Sequence, residues 1–129
     1  MMRFLIDTHV LLWFITDDSR LSSRSLEVVT DATHHVFLSV ASLWEIAIKS
    51  SRGKLHLGRP FETLFPHQLE MNGISILPIE VEHLSTLTQL PFHHRDPFDR
   101  VIIAQAIHLG IPLVSKDSAF EHYPLERIW

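Results

Sequence analysis

The sequence predicts an α/β fold, three layers deep, with a central, mostly parallel sheet of four or five strands between helices. Short apolar runs at residues 3–6, 36–39, 74–77 and 111–115 alternate with longer stretches of helical periodicity. The first run is too short and too uniformly apolar for a half-exposed strand, so it reads as buried on both faces, as in parallel sheets. Right-handed crossovers through the helices then cover the sheet on both sides. With 129 residues, 46% of them hydrophobic, the chain has the size of one domain and enough apolar content for one sizeable core, so a single domain over 1–129 is expected.

The elements follow in order. Arg3 to Ile6 form the first strand, and the run after Thr8 is a helix. Asp17-Asp18-Ser19 makes a turn, and Ser22 or Ser23 caps a second helix to about Ala32, with Leu26, Val28 and Val29 facing inward. Val36 to Ser39 is the second strand, and Ser39 or Ser42 caps the helix after it. In that helix Val40, Leu43, Trp44 and Ala47 have the spacing of a buried stripe, while Glu45, Lys49 and Arg52 share another face. Gly53 closes it. A further helix runs from about Phe61 to Met71, where Pro66 is expected to start a new segment or kink the axis. Asn72-Gly73 turns into the third strand, Ile74 to Pro78. Glu80 to Leu90 is helical with Val81, Leu84 and Leu87 inside. The next helix has a well-marked start, with Asp96 at the N-cap, Pro97 at the first helical position and Asp99 in the first turn, and it ends at Gly110. Ile111 to Ser115 is the fourth strand, a short helix spans about Ser118 to His122, and Arg127 to Trp129 adds a short edge strand.

Composition narrows the function classes. The chain has no cysteine, so neither disulfides nor thiolate metal sites are available, which suits a cytoplasmic protein. The apolar start is interrupted by Asp7 and His9 and lacks a small-residue cleavage site, so it does not read as a signal peptide. No run reaches transmembrane length, and no membrane partner is expected. The net charge of −4 opposes simple electrostatic capture of nucleic acid, so any such contact needs a local patch. Lys49, Arg52, Lys54 and Arg59 supply one candidate, which reads equally well as solvated surface.

Four acids stand out. Asp7 lies where a buried strand gives way to a helix, at the carboxyl edge where open α/β sheets bind ligands. Taken alone, it or Thr8 reads as a helix cap. Asp117 repeats that position after the fourth strand, and Asp99 opens a helix. Glu45 lies in a helix body, where capping cannot explain it and an exposed pair with Lys49 is the competing reading. Carboxylates gathered without a counter-ion raise one another's pKa and strain the fold, so their convergence argues for a bound cation. An all-oxygen donor set points to Mg²⁺ or Mn²⁺ and to phosphoryl transfer or phosphodiester hydrolysis, with water activated by one or two ions.

The motifs carrying these acids resemble the PIN domain, and more narrowly the VapC-type ribonuclease toxins of toxin–antitoxin pairs. They are Ile6-Asp7-Thr8-His9, the Ser39, Ser42 and Glu45-Ile46 spacing, Arg95-Asp96-Pro97-Phe98-Asp99-Arg100 with Ile103-Ala104-Gln105-Ala106, and Ser115-Lys116-Asp117. The resemblance covers essentially the whole chain. It implies that Asp7, Glu45, Asp99 and Asp117 are the catalytic, metal-binding set, with Mg²⁺ or Mn²⁺ as cofactor and RNA as substrate. Thr8 and Ser115 are then helpers, and Asp96 a helix cap beside the site. It further implies a homodimer and a small VapB-like antitoxin that covers the acids.

Two other readings compete. A phospho-acceptor receiver domain also uses acids at the carboxyl edge and Mg²⁺, but it needs adjacent acids after its first strand and an acceptor Asp after its third, which here ends in Leu77-Pro78-Ile79. A catalytically silent PIN-like module would bind RNA or protein, against which the intact set of acids argues. The ten histidines contain no His-Glu-x-x-His and read mostly as surface or core-edge residues, His9 as a partly buried ring beside Trp13. Trp13, Trp44 and Trp129 are read as core or interface residues rather than base-stacking ones, Trp44 within the core stripe.

Overall fold

A computed structural model describes residues 2–129. Strands β1 (Arg3–Ile6), β2 (His35–Ser39), β3 (Ile74–Leu77), β4 (Leu113–Val114) and β5 (Arg127–Ile128) form one sheet in the order β3-β2-β1-β4-β5, every pairing parallel. Helices α1 (Thr8–Ile15), α2 (Ser23–Thr30), α3 (Val40–Ser51), α4 (Phe61–Met71), α5 (Val81–Thr88) and α6 (Pro97–Leu109) and a short 3-10 helix over Ser118–His122 supply the connections. This is the three-layer α/β/α arrangement expected from the alternation. The strand order also removes the receiver alternative, whose sheet runs 2-1-3-4-5.

The two layers follow from the pleat of β1. Phe4 and Ile6 point to one side with Val36, Leu38 and Val114, and are covered by Val10 and Leu11 of α1, Val29 of α2, Ile46 of α3, and Phe65 and Leu69 of α4. Leu5 points to the other side with Leu113 and is covered by Ile102, Ile103 and Ala106 of α6 together with Leu90 and Phe120. Successive residues of one four-residue strand therefore anchor opposite cores, which is why the run is apolar without alternation.

From β1 the chain winds outward through β2 to β3, then returns across the sheet to place β4 on the other side of β1. The strand order thus reverses between β1 and β4, the switch point at which open sheets leave a crevice beyond their carboxyl ends. Asp7 follows β1 and Ser115 follows β4 at that point. Gly110 makes the return possible. It ends α6 at φ +64°, a left-handed conformation in which glycine carries no Cβ penalty, and Ile111 N–H then bonds the Ala106 carbonyl at 3.1 Å.

Several expectations need correction. The exposed face of α3 carries Trp44, 57% accessible, while Ala41, Ser42, Glu45 and Ile46 are buried. Periodicity alone marks Trp44 as core, but Ser42 and Glu45 find a buried hydroxyl partner in Thr8 and turn inward. In α5, Val81 and Leu84 are exposed and His83 is buried, because the His83 ring accepts the Glu80 N–H at 2.9 Å and meets Gln105 of α6. Leu26 is likewise exposed, and α2 ends at Thr30. Helix α4 runs through Pro66 without a new segment. The fourth strand is only Leu113–Val114, since Pro112 has no N–H to give to a ladder and Ile111 gives its own to the end of α6.

Candidate active site

Asp7 caps α1, its Oδ1 accepting from the Val10 N–H at 2.9 Å, so the capping role is real. Its Oδ2 accepts a hydrogen bond from the Ser115 hydroxyl across the switch point. The Ser115 Oγ in turn accepts the Asp117 N–H at 3.0 Å, which ties the turn after β4 to the acid after β1. Asp7 is buried, and burial pushes its carboxyl above the usual range, with the neighbouring Asp117 charge adding to the shift.

Glu45 is held by two elements. Its Oε1 accepts from the Thr8 hydroxyl at 2.8 Å, and its Oε2 pairs with Lys49 Nζ at 2.6 Å. Thr8 Oγ1 also lies 2.9 Å from Ser42 Oγ. A hydroxyl has one proton, and the anionic carboxylate is the stronger acceptor, so Thr8 donates to Glu45 and Ser42 donates to Thr8. The pair with Lys49 that the spacing allows does form, but with Glu45 only 5% exposed it is not the solvated surface pair that a helical i, i+4 spacing usually gives.

Asp117 caps the 3-10 helix through the Ala119 N–H at 2.9 Å, and its second oxygen lies 2.9 Å from His94 Nε2. Burial pushes its carboxyl up, but the His94 and Ala119 hydrogen bonds, with the charges of His94 and Arg127, bring it below the usual range. His94 is itself fixed, stacked on Phe120 with Nδ1 3.2 Å from the Tyr123 hydroxyl. Sequence reasoning passed over His94 and took Ser42 for a helix cap or motif residue rather than a partner of Thr8, the cap of α3 being Ser39. His94 lies two residues before the N-cap of α6 with no periodicity to mark it, and nothing local to Ser42 points to Thr8, 34 residues earlier.

Asp99 differs from the other three. Among the described residues no hydrogen bond reaches its carboxylate, although the side chain is partly buried. Burial and the fields of Asp96, Glu45 and Asp7 push its pKa up to about 7, with His94 opposing. Asp96 supplies the N-cap of α6, accepting from the Phe98 and Asp99 N–H groups at 2.8 and 3.1 Å. The electrostatic coupling places Asp99 in one field with Asp7 and Glu45, and Asp7 in one field with Asp117.

As the side chains rest, no three His, Asp or Glu groups among the described residues are close enough to hold one ion jointly. The chemistry of the donor set nonetheless fits a hard divalent cation, with oxygen donors only and an unpartnered, electrostatically strained Asp99. Asp7, Glu45 and Asp117 each spend one acceptor position per oxygen on the fold, and a carboxylate has about four.

The profile of the PIN domain matches residues 4–125. The chain belongs to the PIN domain family. Ribonuclease VapC22 of Mycobacterium tuberculosis is 29% identical over 115 residues, covering 88% of this chain and 85% of the relative. Two solved structures superpose along nearly the whole length. A chain of the VapBC2 assembly of Rickettsia felis, bound to a DNA fragment from its promoter, gives a TM-score of 0.72 at 15% identity, covering 98% of both chains. A chain of DNA-bound VapBC from Salmonella typhimurium gives 0.69 at 17% identity, covering 99% of this chain and 98% of that one. At such identities the two superpositions speak for the PIN fold alone.

The remaining candidates fall in two places. Lys49 and Lys54 line a cavity of about 520 Å³ with Thr8, His9, Trp13 and Arg20, whereas Arg52 stands exposed at the end of α3, outside that lining. His9 is exposed rather than partly buried, its ring centroid 5.7 Å from that of Trp13.

Proposed function

We propose that this chain is a divalent-metal-dependent endoribonuclease of the VapC type, the toxin of a toxin–antitoxin pair, hydrolysing RNA phosphodiester bonds at the carboxyl edge of its sheet. The observation that carries the reading is Asp99, a partly buried carboxylate held near pKa 7 by burial and, after it, by its acidic neighbours, with no hydrogen-bond partner among the described residues. Such a group is costly to ionise in the metal-free fold and is relieved by a cation. The similarity to a ribonuclease along most of the chain supports the same reading.

Asp7, Glu45, Asp99 and Asp117 would hold Mg²⁺ or Mn²⁺. When bound, the ion supplies a Lewis acid for the phosphate and a water ionised near neutral pH. The chain's own groups prepare the site. Ser115 and the Val10 N–H fix the rotamer of Asp7, Thr8 and Lys49 fix Glu45, and His94 fixes Asp117, leaving Asp99 free to turn toward a cation. Burial of Asp7 and Glu45 keeps water from screening their charge. The VapBC assemblies of the structural neighbours support a VapB-like antitoxin as partner, and the family resemblance implies a homodimer.

The test is cleavage of a mixed RNA pool with and without Mg²⁺ by the wild type, Asp7→Asn and Asp99→Asn. Metal-dependent cutting lost in both variants is expected. Equal activity in all three, or indifference to metal, overturns the reading.

A further inference from the structure

Beside the acids lies a second cavity, of about 250 Å³, lined by Asp7, His9, Trp13, Lys116 and Asp117. Two of its walls are carboxylates of the proposed site, and its apolar wall is the ring of Trp13. Trp13 also lines the larger cavity that carries Lys49 and Lys54, so it stands between the acids and the basic groups of α3 and the loop after it. Two cations lie over the ring, Arg20 Cζ 5.1 Å and Lys116 Nζ 5.9 Å from its centroid. Arg20 is paired with Asp18 at 2.7 Å, whereas no ion pair among the described residues engages Lys116. Trp129 packs edge-on against the ring with centroids 6.0 Å apart, which helps to hold its plane.

We infer that Trp13 and Lys116 form a nucleotide subsite, with one unstacked RNA base lying on the Trp13 ring and the phosphate beside it on Lys116. This rests on the nuclease reading of the acids next to it. An aromatic plane held by its neighbours, with a flexible lysine over it that can swing aside onto a phosphate, matches a base and its phosphate, since every base presents a π face and stacking tolerates any sequence. At about 250 Å³ the cavity is far too small to take a helix. In a duplex the bases are stacked inside and cannot lie on a side chain, so the subsite selects single strands, loops or bulges. The cations supply, locally, the charge complementarity that the net charge of −4 withholds from the chain as a whole. Through Asp7 and Asp117 the subsite adjoins the acids, which places the stacked base next to the bond to be cut.

The experiment uses the full chain and a fluorescein-labelled, unstructured 12-nucleotide RNA of mixed sequence. Binding to Asp99→Asn in Mg²⁺ is followed by anisotropy, and cutting by the wild type on gels. Trp13→Leu is expected to weaken binding about 5- to 150-fold, the range that loss of one base–aromatic stack gives, with Trp13→Phe retaining most of it. Lys116→Gln should lower the salt dependence of binding by about one phosphate contact. Replacing one base at a time with an abasic unit should reveal one costly position, and that cost should vanish in Trp13→Leu. A flat abasic scan, or a cost that persists in Trp13→Leu, overturns the subsite even if the wild type cuts. Trp13-dependent binding with no cutting by the wild type keeps the subsite and overturns the nuclease reading. Should Trp13→Leu fail to fold, the abasic scan on the unsubstituted ring and the Lys116→Gln salt slope decide.

Discussion

Asp99→Asn separates the energetics of the site from its catalysis. The pKa of Asp99 is raised from 3.8 to about 7, so in the metal-free fold its ionisation is penalised relative to the unfolded chain. At 1.36 kcal/mol per unit the upper bound is about 4 kcal/mol, and solvent reaching this partly exposed side chain reduces it to about 2 kcal/mol. The sign is fixed by proton linkage. Between pH 3.8 and about 7 the folded state holds a proton that the unfolded chain has released, so this group's contribution to stability falls as pH rises and levels off above about 7. Asn cannot ionise. The variant is therefore expected to match the wild type near pH 4 and to exceed it by about 2 kcal/mol at pH 8, or about 6–10 °C in melting temperature for a domain of this size. Thermal melts from pH 4 to 8 in EDTA measure this, and the variant-minus-wild-type difference cancels titrations elsewhere. Added Mn²⁺ should then raise the wild-type melting temperature and leave Asp99→Asn nearly unmoved. A pH-independent difference, or an Asn variant less stable than the wild type at pH 8, refutes the argument.

Other consequences are more local. Thr8→Val keeps shape but strips Glu45 Oε1 and Ser42 of their hydroxyl partner, and should cost about 2–4 kcal/mol in urea denaturation as well as most of the cleavage rate. His94→Phe preserves the stack on Phe120 and loses the bond to Asp117, so cutting should slow about 10- to 100-fold in a gel assay while the melting temperature moves only a few degrees. His83 is buried, and burial with the charge of His108 lowers its pKa below 6.5. Its contribution is complete above pH 6.5 and is lost as pH falls through the lowered value, so His83→Phe should flatten the acid limb of the melting curve. Gly110→Ala places a Cβ at φ +64° and should cost about 1 kcal/mol by denaturant titration, without changing the acids.

Much of the site was legible because local rules and functional ones coincide. Asp7, Asp96 and Asp117 do cap helices, and the same positions bring Asp7 and Asp117 to the carboxyl edge, so a residue-by-residue search for caps also finds two of the acids. The faces of α3 and α5 were misread for one reason. Periodicity counts apolar residues, and it cannot foresee that a buried hydroxyl or glutamine will draw Glu45 or His83 inward and leave Trp44 or Val81 outside.

The sequence by itself determined the alternation of strand and helix, the parallel sheet and the order of the acids, because short apolar runs, caps and turn residues act over a few positions. Only the tertiary structure decided that Ser115 bonds Asp7 across 108 residues of chain, that Glu45 is buried, that Asp99 has no hydrogen-bond partner among the described residues and that Trp13 borders the acids. Those facts depend on where the strand order reverses, and β1 becomes the neighbour of β4 only when the whole sheet has assembled.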